Sequence, residues 1–157
     1  MKSILIWLNQ VNNWDRRYMS LAKAISSWSK DPSTKVGAVA IGDKGQVISQ
    51  GYNGFPRRFD DSIEKYENRD TKYKYVVHAE MNCIYHATHN GLSLERAKLY
   101  VYGLGVCHEC AKGIVQVGIK EVYASCNPES ELRWIDSFAL TKDILKKGGV
   151  NYEQIYH

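Results

Sequence analysis

Val76-Val77-His78-Ala79-Glu80-Met81-Asn82 is the stretch from which the rest of the chain is best read. His78 stands immediately before a predicted helix, Ala79 to Asn90, that Gly91 ends. Further on, Val106-Cys107-His108-Glu109-Cys110 sets Cys107 just ahead of a second predicted helix, Cys110 to Val117, ended by Gly118. Two helix N-termini can therefore point at one place. His78, Cys107 and Cys110 offer one nitrogen and two sulfur donors, which leaves the fourth position of a tetrahedral zinc ion open. The positive helix ends favour thiolates over thiols at the two cysteines, and one helical turn brings both to the same side. Glu80 is near enough to share the site without being needed as a ligand. An open metal position beside a spare carboxylate is a catalytic arrangement, since such a metal draws the pKa of a water towards neutrality.

Each piece has a plainer reading by itself. A histidine at a helix start can be a cap, and a Cys-x-x-Cys can be a redox pair or half of a structural zinc site. A structural site needs a fourth donor, and neither Cys126 nor His108 forms a second close-spaced pair. A redox motif leaves His78 and Glu80 unexplained. Glu80 can complement the helix dipole, or it can carry a proton to and from a water at the metal. His86 and His89 lack cysteine partners and are read as surface residues, and Cys83 as a small buried one.

The chain has 157 residues, 44% hydrophobic and 24% charged, with a formal net charge of +4. This predicts one globular domain, 1–157, without a second. The mild positive charge admits an anionic small molecule, and no basic run is long enough for a nucleic-acid arm. Four cysteines without a disulfide framework point to a reducing, cytoplasmic setting. Ile4 to Leu8 is too short an apolar run for a leader, and no stretch reaches the roughly 20 apolar residues of a membrane span.

Elsewhere the hydrophobic period sets the elements. Asn13 is expected to cap a helix from Trp14 that ends at Asp31-Pro32, with Trp14, Tyr18, Leu21, Ala22, Ile25 and Trp28 on one face. Val36 to Ile41 and Gln46 to Gln50 read as a β-hairpin, and Gly51-Tyr52-Asn53-Gly54 as the turn that breaks its second strand. Residues 57–75 form a polar, loop-rich insertion, helical in part around Ile63 to Asn68. Lys98 to Tyr102 and Glu121 to Ala124 read as strands, and about Leu132 to Lys147 as a helix stopped by Gly148-Gly149. A closing strand or tail follows over Val150 to Ile155. Residues 1–12 admit a short strand or an extra helical turn. A hairpin followed by strand–helix–strand units predicts a mixed sheet with helices on both faces.

The His-x-Glu and Cys-x-x-Cys pair is similar to the motif of zinc-dependent nucleobase deaminases. Other segments narrow the resemblance: Trp14-Asp15-Arg16-Arg17, Ser29-Lys30-Asp31-Pro32-Ser33-Thr34-Lys35-Val36-Gly37-Ala38, Gly51-Tyr52-Asn53-Gly54-Phe55-Pro56-Arg57 and Gln116-Val117-Gly118-Ile119. Arg133-Trp134 followed by Ser137-Phe138 adds to them. Over about Trp14 to Gly149 the chain resembles the deoxycytidylate deaminases of the cytidine deaminase-like superfamily. That resemblance implies a three-layer α/β/α sandwich around a mixed, about five-stranded sheet. It implies a zinc ion on His78, Cys107 and Cys110, with Glu80 as the proton carrier, and conversion of dCMP to dUMP. It implies a substrate contact near the sugar at Asn53, where the plainer reading is a turn asparagine. Ala79 is a further candidate contact. For a monophosphate, Ser33, Thr34, Lys35 and Arg57 are the candidates, against solvated surface charge. The resemblance also allows a homo-oligomer, often a hexamer, with dCTP and dTTP as effectors. In one place the chain departs from the family pattern: Val106 stands where proline is usual, which predicts intact ligands on a looser loop. A tRNA adenosine deaminase and a non-catalytic zinc-stabilised binding module are the competing readings. The absence of a basic tail weighs against the first, and an intact Glu80 against the second.

Overall fold

Alternation along the second strand explains the layers. The computed structural model describes residues 2, 3 and 12–156. Its elements in chain order are β1 (Lys2–Ser3), α1 (Asn13–Ser26), β2 (Gly37–Ile41), β3 (Val47–Tyr52), α2 (Ile63–Glu67), α3 (Arg69–Tyr75) and α4 (Ala79–His89). They continue with β4 (Lys98–Tyr102), α5 (His108–Gln116), β5 (Glu121–Cys126), α6 (Pro128–Arg133), α7 (Ile135–Lys147) and β6 (Asn151–Tyr156). Every residue of β2 is buried, as expected of a strand covered on both faces. Ala38 and Ala40 pack with Ala79, Cys83 and Ile84 of α4, Cys110 and Ile114 of α5, and Leu145 of α7. Val39 and Ile41 pack on the other side, with Met19, Ala22 and Ile25 of α1. The result is the expected three-layer α/β/α arrangement.

The sheet order is β1-β6-β5-β4-β2-β3. β2 is antiparallel to both β3 and β4, while β4, β5, β6 and β1 run parallel to one another. Five strands of five or six residues make up the expected mixed sheet, and the two-residue β1 adds a short sixth at its edge. The reading of Ile4 to Leu8 lies outside the described residues.

Several boundaries differ from expectation for local reasons. The cap of α1 is Asn12, not Asn13: its side-chain oxygen accepts from the N–H groups of Trp14 (2.8 Å) and Asp15 (3.0 Å). The helix stops at Ser26, well before Asp31-Pro32, where the Ser26 and Ser27 hydroxyls donate to the carbonyls of Lys23 and Ala24. Its buried stripe also differs: Trp14 and Trp28 are more than half exposed, whereas Asp15 is buried and accepts from the Tyr100 hydroxyl. Gly51 and Tyr52 do not break the hairpin but belong to β3. Gly51 is there for close approach, since a Cβ on it would lie 2.3 Å from the backbone nitrogen of Cys83 in α4. The expected helix from Leu132 is two helices, divided at Trp134, whose φ of −114° is not helical. Residues 57–75 carry two short helices rather than one.

Candidate active site

Sheet geometry brings the two ligand segments together. His78 is the N-cap residue of α4 and Cys107 that of α5, both with extended backbone. β2 lies between the hairpin strand β3, on which α4 packs, and β4, which leads to α5. A bridge between Gly54 and Val77 fixes the approach to His78, with Val77 N–H donating to Gly54 O at 2.8 Å and Gly54 N–H to Val77 O at 3.1 Å. His78 Nδ1 lies 3.3 Å from Cys107 Sγ and 3.4 Å from Cys110 Sγ. The three donor atoms all fall within 4.8 Å of one another, and they form the group of three or more potential metal donors found among the described residues. Zinc–nitrogen and zinc–sulfur bonds at a tetrahedral angle place the two atoms about 3.6 Å apart. The donor set therefore fits zinc in both chemistry and spacing.

Burial and hydrogen bonding pull the titratable groups of the cluster in different directions. The Cys107 thiol is held down to about 4 by hydrogen bonding from Cys110 and His78, against the effect of burial. The Cys110 thiol is pushed up, because it donates to Cys107 and is buried. The hydrogen bond to Cys107 raises His78 to about 9. Glu80, 3% exposed, is pushed up to about 7 by burial, with the nearby His78 charge pulling the other way. A buried carboxyl near neutrality can both take and give a proton at working pH.

The loop before Cys107 is held from α7. Val106 is fully buried, and its carbonyl accepts from the Thr141 hydroxyl at 2.9 Å. The Phe138 ring is packed so closely on Gly105 that a Cβ there would lie 2.8 Å from it. Ser137 Oγ accepts from the His108 N–H at 3.3 Å. The looser loop expected from Val106 is not what these contacts build; anchorage from the helix stands in for a proline ring.

A cavity of about 330 Å³ opens over the donors. Of the residues singled out from sequence, His78, Cys107, Glu80, Ala79, Asn53 and Thr34 line it, and Cys110 sits just behind in the ligand cluster. Asn53 is buried. Its Oδ1 accepts from Val36 N–H (2.9 Å), and its Nδ2 donates to Thr34 O (2.8 Å) and Asp31 Oδ2 (3.4 Å). Ser33 is tied to Asp31 and to Lys72 rather than lining the cavity. Lys35 and Arg57 are exposed and absent from the lining, and the Lys35 ammonium donates to the Ser29 carbonyl.

The lining also includes Asp31, Lys72, Tyr73, Arg133, Trp134 and Phe138. Lys72 lies in the aperiodic charged stretch, and nothing local separates it from the lysines around it. Its ammonium is 2.6 Å from the fully buried Asp31 carboxylate.

The model of the cytidine and deoxycytidylate deaminase zinc-binding region matches residues 12–126. The chain belongs to this family. The matched span contains all three metal donors and Glu80, so zinc is the family's metal for this site. An uncharacterized deaminase from the luxG 3′ region of Aliivibrio fischeri is 37% identical over 141 residues, covering 89% of this chain and 92% of that one. A probable deoxycytidylate deaminase of Drosophila melanogaster is 34% identical, covering 90% of this chain and 72% of that protein. Among solved structures, the dCMP deaminase of cyanophage S-TIM5 superposes with a TM-score of 0.72 at 25% identity, over 92% of this chain and 99% of that one. The family's sandwich and its zinc-binding region thus coincide here with the cavity and donors found by geometry.

Proposed function

We propose that this chain hydrolyses dCMP to dUMP and ammonia. The observation that carries the reading is Glu80: a buried carboxyl beside three converging metal donors at the wall of the cavity. Supporting the choice of substrate, relatives named deoxycytidylate deaminase include those of Homo sapiens and Mus musculus, each 40% identical over 114 residues. His78 Nδ1, Cys107 Sγ and Cys110 Sγ would hold a zinc ion, which when bound would supply the Lewis acidity that makes a water nucleophilic near neutral pH. Glu80 takes a proton from the attacking water and hands it to the ring nitrogen beside the attacked carbon. It then carries a second proton to the amine, which leaves as ammonia and is replaced by a carbonyl oxygen. Asn53 has both Nδ2 hydrogens spent on Thr34 and Asp31, and one lone pair of Oδ1 on Val36. Its remaining lone pair suits a donor, such as a sugar hydroxyl. Phe138 and Trp134 give the cavity apolar wall for a pyrimidine ring.

The same reading takes the protein as one domain and a homo-oligomer, a hexamer by family likeness, with dCTP and dTTP as effectors. Exposed Trp14, Trp28 and Tyr52 support a subunit contact. It places the protein in the cytoplasm, in line with four free cysteines. No helix among the described residues is long and apolar enough to cross a membrane. An ammonia-release assay across dCMP, dCTP, deoxycytidine and tRNA tests the substrate, with dCMP expected to be turned over fastest. Turnover confined to tRNA adenosine would overturn it in favour of RNA editing, and none at all in favour of a binding module.

A further inference from the structure

Lys72 and Asp31 form a charged pair at the cavity wall that the reaction at Glu80 leaves unused. Asp31 is fully buried, yet its oxygens are already well supplied. Oδ1 accepts from Ser33 N–H (2.9 Å), Ser33 Oγ (3.0 Å) and Thr34 N–H (3.2 Å), and Oδ2 accepts from Asn53 Nδ2 (3.4 Å). The Ser33–Thr34 turn is thus held by neutral donors that would remain without Lys72. An ammonium has three hydrogens to donate. Those of Lys72 go to Asp31 Oδ2 (2.6 Å) and Ser33 Oγ (2.8 Å), and the third is spent on no described residue. The side chain is only 14% exposed, and it lines the same cavity as Glu80 and Asn53.

We propose that Lys72, seated on Asp31, binds the 5′-phosphate of the nucleotide, which makes it the residue that selects a nucleotide over a nucleoside. This rests on the proposed reaction for its choice of ligand. A chain of contacts sets the order along the cavity: Lys72 on Asp31, Asp31 on Asn53, and the neighbouring Gly54 on Val77, next to His78. On that order the base would lie by the metal donors, the sugar by Asn53 and the phosphate by Lys72. A compact ammonium, largely out of water and fixed on two sides, suits a phosphate monoester. Arg133 adds positive charge from another segment of the lining, brought near by the edge-to-face contact of Tyr73 with Trp134, centroids 6.2 Å apart. Lys35 and Arg57, the cations most apparent from sequence, do not reach the lining.

The test is calorimetric binding of dUMP and of deoxyuridine to the zinc-loaded protein, for the parent chain and for Lys72→Met. The parent is expected to favour dUMP by about 10- to 100-fold, the value of a charge-assisted hydrogen bond, and Lys72→Met to lose most of that preference. Asp31→Asn/Lys72→Met removes both charges together, so no carboxylate is left buried alone, and it should show the same loss. A merely structural pair would weaken both ligands alike and leave the ratio unchanged, which would overturn the assignment. So would a parent protein that binds the two equally. Lys72-dependent binding of dUMP in a protein that releases no ammonia from dCMP would uphold this subsite and sink the proposed reaction instead.

Discussion

The surroundings of Glu80 suit it to the proton transfers proposed for it. Burial lifts its carboxyl to about 7, so that a group ordinarily ionised at neutral pH becomes one that can exchange protons there. Glu80→Gln keeps the shape and leaves the three donors in place. It is expected to retain zinc while ammonia release from dCMP falls by about 10²–10⁴-fold, measured by metal analysis and single-turnover assay on one preparation. Undiminished turnover would remove Glu80 from the proton path. Asp31 shows the opposite balance. Burial alone would raise its pKa, but the Lys72 ammonium and the Ser33 and Thr34 donors together hold it below its ordinary value of 3.8. A carboxyl depressed in the folded state contributes stability that is complete above its unfolded pKa and lost as pH falls through the folded one. Asp31→Asn should therefore flatten the acid limb of the stability curve below about pH 4, read from urea midpoints across a pH series. A variant with the parent's acid limb would show that the pair contributes nothing to it.

At the scale of elements, α7 does more than cover the sheet. Thr141, Ser137 and Phe138 reach from this helix to Val106, His108 and Gly105, on either side of Cys107. A ligand loop without a proline is thereby held by a neighbouring helix. Thr141→Val keeps the volume but leaves the buried Val106 carbonyl unpaired, at a cost of about 1–3 kcal/mol. Chemical denaturation should show that loss, and competition with a chelator should show weaker zinc retention. Unchanged zinc retention would mean that the loop holds its geometry alone. The helix starts and most of the strands were legible because they depend on period and on local caps. The boundaries at Asn12 and Ser26 moved for local reasons, whereas the errors about burial fell where a residue further along the chain decided the matter. Asp15 is buried because Tyr100, on a central strand, offers it a hydroxyl. Trp14 stays exposed while α1 turns its small Ala22 towards the sheet, where a Cβ on Gly37 would lie 2.2 Å from the Ala22 carbonyl, and Trp28 lies beyond the end of the helix.

For the molecule as a whole, the metal is expected to join folding to function. Purified protein should carry about one zinc per chain, by atomic absorption. On the proposed assignment zinc would bind the folded arrangement of His78, Cys107 and Cys110, which comes from two helices and is not preformed in an unfolded chain. Removing it with a chelator should abolish ammonia release and lower the melting temperature, and both should return on adding zinc. Metal-free protein with full turnover would refute the mechanism. The donors face one another only because α4 and α5 pack on the same side of the sheet, so a lesion that separates these helices should act on both measurements at once.

His78, Glu80, Cys107 and Cys110 could be read from the chain alone, because donor types and the start of a helix are local properties and their spacing carries the chemistry. The mixed sheet could be read in outline, because a change from helical to alternating period survives without any knowledge of neighbours. The surroundings of the substrate could not. Lys72 and Asp31 stand far apart in the chain, and Lys35 and Arg57 look as suitable in composition. Only folding puts the Lys72 ammonium on the cavity wall and leaves the other two outside it. A charge acts through what lies within a few ångströms of it, and those distances are set by packing rather than by order along the chain.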